Sequence, residues 1–228
     1  MLLRTDFEGA KEVLILDSEG LFSIERNDAK YDRRLAIFCF SVSNFLLINI
    51  KGEMNTQVMK VLQVSIYALK RIKEITNHAS TARPHFICRD INQGSVKDIQ
   101  NQFDKIKLAL DEAAEAADCK LWDLIDIEDS VEMMDTFHGA IDKSAIYANN
   151  VLTQTKSHSV FRDECSILRR RLIKFSKELD EKQRSLNLIK LIDNMAIVWT
   201  AVTESDDLVL IQDLRHINDH RNLEKAMN

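Results

Sequence analysis

The sequence predicts an α/β fold, in which a parallel β-sheet has helices on both faces and is followed by a helical region. In the first half of the chain, short apolar runs alternate with longer stretches of helical periodicity. The apolar runs are almost continuously hydrophobic, as expected for parallel strands that are buried on both faces. Five Gly and one Pro in 228 residues also favour long helices over a loop-rich all-β fold.

The strands and helices are predicted to alternate along the chain. Strands are predicted at residues 12–17, 45–50 and 84–88, with a possible fourth at 120–125. Helices are predicted at residues 31–43, 53–75 and 95–117. Because strand–helix–strand order gives parallel pairing, we expect the first three strands to lie in one sheet. The residues that end the first and third strands should then meet at one edge of that sheet.

Strand signals stop after about residue 139. Helices are predicted at residues 142–155, 160–181 and 186–203, and Leu168, Leu172, Phe175 and Leu179 form an apolar stripe in the second of them. No Gly- or Pro-rich linker marks the boundary. We therefore divide the chain into an α/β part at 1–140 and a tightly attached helical part at 141–228.

Composition excludes some classes of protein. A net charge of -5 and a pI near 5.7 give no basic surface for nucleic acid. No apolar stretch reaches about 18 residues, so we expect no transmembrane helix. The first residues lack the apolar run of a signal peptide, and the four cysteines form no C-x-x-C pair. These features predict a cytoplasmic protein with reduced thiols.

Two short motifs follow predicted strands, where ligands bind in open α/β sheets. Asp17 and Gly20 belong to an Asp-x-x-Gly turn after the first strand. In a nucleoside triphosphate site, Asp17 would hold Mg²⁺ and the Gly20 amide would approach the γ-phosphate. Arg89 and Asp90 end the third strand. The Asp90 carboxylate could accept hydrogen bonds from guanine N1–H and N2–H₂, which adenine does not offer, and the Arg89 stem could lie against the base.

The motif around Asp17 and Gly20, with the segment 31–38 after it, resembles large GTPases of the guanylate-binding and atlastin type. The stretch 45–72 is more similar to the very large interferon-inducible GTPases, as are 110–117 and 198–202. The resemblance covers most of residues 12–210, and its most specific part is the first 65 or so matching residues. It implies an incomplete P-loop GTPase-like fold that begins at the third G motif.

The resemblance also implies ligands and partners. GTP or GDP with Mg²⁺ would be the cofactors, and Asp17 would bind the metal. Arg89 and Asp90 match the guanine-reading Arg-Asp pair of guanylate-binding proteins and atlastins, although this site is more acidic than we expect of the very large GTPases. Homotypic association through the G domain is a further expectation. The fifth G motif is not assigned.

One part of the family pattern is missing. None of the five glycines begins or completes a G-x-x-x-x-G-K-[ST] phosphate loop, and only 16 residues precede Asp17. The β- and γ-phosphates of GTP would lose most of their ligands without that loop. We therefore expect no catalytic residue and no GTP hydrolysis by this chain alone. Without the first strand of the sheet, Val13, Ile15 and Leu47 should lack part of their apolar cover.

Other readings of the same residues stay open. The chain could be an interaction module derived from a G domain, with no nucleotide role. It could also be a metal-dependent hydrolase that uses Asp17 and Glu19. His216 and His220 have the i, i+4 spacing of a metal pair but lack a third ligand. Four acidic residues suggest a solvated turn more than a cation site: Asp123, Asp126, Glu128 and Asp129.

Overall fold

A computed structural model describes eight continuous ranges of the chain and some isolated helical positions. The ranges are 2–4, 12–18, 28–51, 55–76, 82–91, 96–125, 141–142 and 188–205. The isolated helical positions are 166, 169, 170, 172–174, 177, 178, 219, 222, 223 and 226. The predicted helix at 142–155 lies outside the described residues apart from residue 142.

A three-stranded parallel sheet is the centre of the fold. Its order is β3 (Phe45–Lys51), β4 (Arg83–Ile91) and β5 (Ile141–Asp142). Helix α2 (Thr56–Thr76) connects β3 to β4, and helix α3 (Val96–Ala116) follows β4. The predicted parallel pairing of the second and third strands is confirmed, from Phe45 opposite Arg83 to Lys51 opposite Arg89.

The first predicted strand has a different place. Strand β1 (Leu2–Arg4) pairs with β2 (Glu12–Leu14) in an antiparallel two-stranded ribbon, and Leu3 lies opposite Val13. In the described part of the chain this ribbon is a separate sheet from β3, β4 and β5. The expectation that 12–17 joins 45–50 and 84–88 in one sheet is therefore wrong. The apolar segment Leu2-Leu3 is an antiparallel partner close in sequence, and pairing with it costs less loop-closure entropy than joining a distant strand through a long crossover.

Two further expectations are corrected. Residues 121–124 form a short helix, α4 (Leu121–Leu124), where a fourth strand was expected. The Asp123 side chain accepts a hydrogen bond from the Lys120 N–H at 3.3 Å, which satisfies a backbone donor at the start of the helical turn. Residues 141 and 142 form β5, although the region after 139 was expected to be helical. Both segments are too short for apolar periodicity to separate strand from helix.

Helix α1 (Ala29–Val42) begins at a side-chain cap. Asp28 Oδ1 accepts hydrogen bonds from the Lys30 and Tyr31 N–H groups at 3.0 and 2.9 Å. Asn55 acts similarly before α2, where its Oδ1 accepts from the Val58 N–H at 2.9 Å. Asp and Asn are common at such positions because their short side chains place an oxygen within reach of the unpaired amides of the first helical turn.

The buried side chains form two clusters that meet along α2. The first lies between the sheet, α2, α3 and α4, and includes Phe86, Ile66, Leu110 and Leu124. The second lies between α1, α2, the end of α3 and helix α5 (Leu188–Glu204). Residues 61–69 of α2 are all buried, because the helix contributes to both clusters. Arg83 Nη1, at the start of β4, lies 3.1 Å from Oε2 of Glu178, which is in a helical position.

Several apolar side chains lie at the surface. Ile15 is 40% exposed and Leu47 is 45% exposed, but the two do not belong to one sheet as expected, because Ile15 follows β2 in the separate ribbon and Leu47 lies in β3. The burial of Val13 lies outside the described features. The outer side of α5 adds a second exposed apolar surface. None of the helices in the described ranges combines the length and the apolar character needed to cross a bilayer.

Candidate functional site

The carboxyl ends of the three parallel strands lie side by side. Lys51 of β3 is opposite Arg89 of β4, and Arg89 is opposite Ile141 of β5. A register shift follows, so that Ile91 is opposite Asp142. Asp90 therefore lies in β4 between two backbone pairings, at the edge where open α/β sheets bind ligands. Arg89 and Asp90 thus lie near the carboxyl end of a parallel strand, and their role in reading guanine stays a prediction.

The other half of the predicted site is in a different element. Asp17 follows β2 in a segment without regular secondary structure, and it is exposed, as are Ile15 and Leu16 beside it. Because β2 pairs with β1, strand pairing does not bring Asp17 to the edge that carries Asp90. Gly20 lies outside the described residues. An exposed carboxylate is accessible to a cation, so Asp17 fits the role of a single Mg²⁺ ligand, and this role stays a prediction.

Strand β5 is the element of this edge that sequence reasoning missed. In the β4–β5 pairing, Asp142 is opposite Ile91. A second acidic residue therefore lies on the strand next to Asp90. A two-residue strand has no period of its own, and Ile141 stands alone among polar and small residues. The usable signal was topological: a parallel strand needs a crossover of a dozen or more residues after β4, and α3 with α4 supplies it.

Two lysines of α2 donate hydrogen bonds to backbone carbonyls at the ends of α3 and α4. Lys70 Nζ donates to the Ala117 carbonyl at 2.8 Å, and Lys73 Nζ donates to the Asp123 carbonyl at 3.1 Å. Cations at the end of a helix interact favourably with its free carbonyl groups. These lysines therefore stabilise the ends of the two helices.

Cys39 and Cys119, the cysteines whose side chains the structure describes, are unsuited to nucleophilic chemistry. Burial raises the pKa of the Cys39 thiol to about 11. Burial is also the main cause that raises the pKa of Cys119, and Cys119 Sγ donates to the Ala114 carbonyl at 3.3 Å. Both are free thiols. A raised pKa keeps a thiol neutral near pH 7, whereas catalysis needs the thiolate.

The remaining candidates gain no support as metal sites. His216, His220, Asp126, Glu128 and Asp129 all lie outside the described residues. Asp123 is exposed, and its carboxylate accepts from the Lys120 amide. Over the ranges that the structure describes, no three His, Cys, Asp or Glu residues are grouped closely enough to hold a metal ion.

Comparison with known proteins finds local similarity to very large GTPases. Over 122 residues, half of this chain, it is 31% identical to the interferon-induced very large GTPase 1 of Mus musculus. Over 73 residues, 31% of this chain, it is 34% identical to the Homo sapiens protein of the same name. The chain spans only 5% and 3% of the lengths of these relatives. No family model matches the chain. No solved structure matches it either.

These similarities support a relationship to large GTPases. They agree with the resemblance found from residues 45–72, and the mixed helix and strand fold with a parallel sheet is compatible with it. The related stretch covers a small part of two much longer proteins, so the activity of those proteins does not transfer with it.

Proposed function

We propose that this chain is a region derived from a large GTPase that carries the base-binding side of a guanine nucleotide site and is not catalytic by itself. Asp90 is the residue that would read the guanine edge, and Arg89 would support the base. Asp17 would contribute to Mg²⁺ binding when a phosphate-bearing segment completes the site. GTP or GDP with Mg²⁺ are the ligands proposed.

One observation carries most of this proposal: Arg89 and Asp90 lie at the carboxyl end of a strand in a parallel sheet. A carboxylate at that edge can accept two hydrogen bonds from guanine, while adenine presents an acceptor at N1 and has no N2 amine. Leaving such a carboxylate opposite an acceptor is unfavourable, so the site would discriminate between bases. The local similarity to very large GTPases points to the same ligand class.

Weak affinity is expected because the sequence contains no phosphate loop. The backbone amides and the lysine of that loop normally bind the β- and γ-phosphates. The base contacts that remain correspond to a dissociation constant in the millimolar range at best, or about -4 kcal/mol. Turnover is not expected from the isolated chain.

The test is a titration of the purified chain with GTP and with ATP at millimolar concentrations, followed by NMR chemical shifts. We expect saturable shifts with GTP and smaller ones with ATP. Asp90→Asn should abolish the preference for GTP, because the amide replaces one of the two acceptors with a donor. Asp104→Asn, an exposed position on α3, is the matched control and should retain the preference.

Two results would contradict the proposal. Equal responses to GTP and ATP in the unmodified chain would remove Asp90 from base recognition. Micromolar affinity or measurable hydrolysis would show that residues other than a phosphate loop bind the phosphates.

A further inference from the structure

Helix α5 has two apolar sides. Val198, Ala201 and Val202 are buried against α1 and α2 in the second cluster. On the outer side, Ile189 is 74% exposed and Ile192 is 54% exposed. A surface helix normally has one apolar face and a polar outer face, so the second apolar side is unusual for a surface that meets only water.

The outer side of α5 carries one largely apolar stripe. Positions 189, 192, 196, 199 and 203 recur at spacings of three and four, which places them on one side of a helix. We call this set the α5 stripe; its residues are Ile189, Ile192, Ala196, Trp199 and Thr203. Trp199 is 37% exposed, and its ring meets Phe38 of α1 edge-on, with centroids 5.3 Å apart. That contact holds the indole in place on the stripe.

The pattern of the α5 stripe is self-complementary. Large residues stand four positions before and three positions after Ala196, and further stripe positions stand seven before and seven after it. When two copies cross in antiparallel orientation at Ala196, Ile192 of one lies against Trp199 of the other. The small side chain at the crossing point lets the two backbones approach closely, at the short end of the usual interaxial distances of roughly 8–10 Å.

We propose that the α5 stripe is a binding site for the α5 stripe of a second copy of this chain, in an antiparallel pair centred on Ala196. The proposal goes beyond the nucleotide function and needs no nucleotide. It gives a specific surface to the interaction-module reading of the sequence.

The available area determines how strong this pair is. With about 200 Å² for a fully exposed large apolar side chain, the exposures of Ile189, Ile192 and Trp199 amount to about 330 Å² per copy. Two copies would bury about 660 Å² from these side chains, which is below the range of roughly 1,200–2,000 Å² for stable complexes. The pair is therefore a weak, concentration-dependent dimer.

The first test compares two lysine substitutions on the same helix. Ile192 and Ile197 are 54% and 53% exposed, but only Ile192 belongs to the α5 stripe. By light scattering after size exclusion, the mass of the unmodified chain should rise from 26.3 kDa towards twice that value between about 10 and about 500 µM. Ile192→Lys should weaken association at least tenfold, and Ile197→Lys should leave it within about twofold. Circular dichroism confirms that both variants are folded.

The second test determines the orientation by cross-linking under mild oxidation. At a close crossing the Ala196 Cα atoms of the two copies would be about 5 Å apart, within disulfide reach, so Ala196→Cys should form a covalent dimer. Thr200, which is also exposed on α5, would be about 12 Å along the axis from its counterpart, so Thr200→Cys should not. The unmodified chain measures any background from the native cysteines.

Three outcomes would overturn the proposal. The chain could remain monomeric at about 500 µM while Ala196→Cys fails to cross-link. Ile197→Lys could weaken association as much as Ile192→Lys, which would indicate non-specific apolar contact. Thr200→Cys could cross-link as efficiently as Ala196→Cys, which would exclude the antiparallel centre at Ala196.

Discussion

Cys39 illustrates how one partly buried side chain links the stability of the fold to pH. It lies on α1, and burial raises the pKa of its thiol from an ordinary 9.0 to about 11. The neutral thiol is therefore favoured in the folded state, and the unfolded chain releases the proton first as pH rises. The contribution of this group to stability is complete below pH 9 and is lost between about pH 9 and 11.

We predict that Cys39→Ala reduces the alkaline loss of stability. A shift of about two pKa units corresponds to about 2–3 kcal/mol between pH 8 and pH 11. The free energy of unfolding in urea, measured for both proteins at pH 8 and pH 10.5, should fall more steeply in the unmodified chain. Parallel decreases in the two proteins would show that Cys39 does not titrate in this range.

Helix α3 ends in a backbone capping motif. The Cys119 N–H donates to the Ala114 carbonyl at 3.1 Å, and the Asp118 N–H donates to the Glu115 carbonyl at 2.9 Å. These two bonds form a Schellman motif, which requires a left-handed residue after the helix. Asp118 occupies this position with φ of 53°. The motif ends α3 and directs the chain into α4.

Asp118→Gly should therefore stabilise the protein. Glycine adopts positive φ without the steric cost of a β-carbon, but it also has greater conformational freedom in the unfolded chain. The net gain in the free energy of unfolding is about 0.5–1 kcal/mol. Asp118→Ala, which keeps the β-carbon and loses the polar group, should destabilise it. Thermal unfolding of the three proteins provides the comparison, and a lower midpoint for Asp118→Gly would contradict the prediction.

The accuracy of the sequence-based predictions depended on the length of each element. Helices α1, α2, α3 and α5 and strand β3 were found within a few residues of their bounds, because their apolar residues repeat over enough positions. Strand β4 was expected at 84–88 and extends to Ile91, since polar residues after Cys88 hide its end. Short elements had no such signal. Leu121–Leu124 fits a strand or a helix equally well, and Leu2–Arg4 becomes a strand only through its partner β2.

The candidate site was predictable in part for the same reason. Arg89 and Asp90 follow a recognisable apolar strand, so their place at the edge of a parallel sheet could be inferred. The position of Asp17 depends on which strand pairs with β2, and pairing is a long-range property that a local pattern does not contain.

At the scale of the whole molecule, α2 connects the two clusters of buried side chains. Ile66 and Leu69 pack in the first cluster, whereas Tyr67 and Ala68 pack in the second. A substitution that destabilises the packing on one side of α2 should therefore also destabilise the packing on the other side. Both clusters should unfold in one transition.

This cooperativity can be tested with Ile66→Ala, read through Trp199 in a Trp122→Phe background. Ile66 is fully buried in the first cluster, and its truncation should cost about 3 kcal/mol. Trp199 contacts Phe38 beside the second cluster. In the Ile66→Ala variant, unfolding followed by Trp199 fluorescence and unfolding followed by far-UV circular dichroism should have the same, lowered urea midpoint. Ile75→Ala, an exposed position on α2, should change the midpoint little. Separate midpoints for the two signals would mean that the clusters unfold independently.

The continuous burial of residues 61–69 also has an evolutionary consequence. A helix with a solvated face can accept substitutions on that face and can tolerate small changes of length, but this part of α2 has no such face. One inserted residue would rotate every later side chain by about 100° and exchange the positions that serve the two clusters. Among divergent relatives of this chain, we therefore expect the length of α2 to be kept and its sequence to drift slowly. The outward positions of α3, such as Glu112 and Glu115, should vary freely.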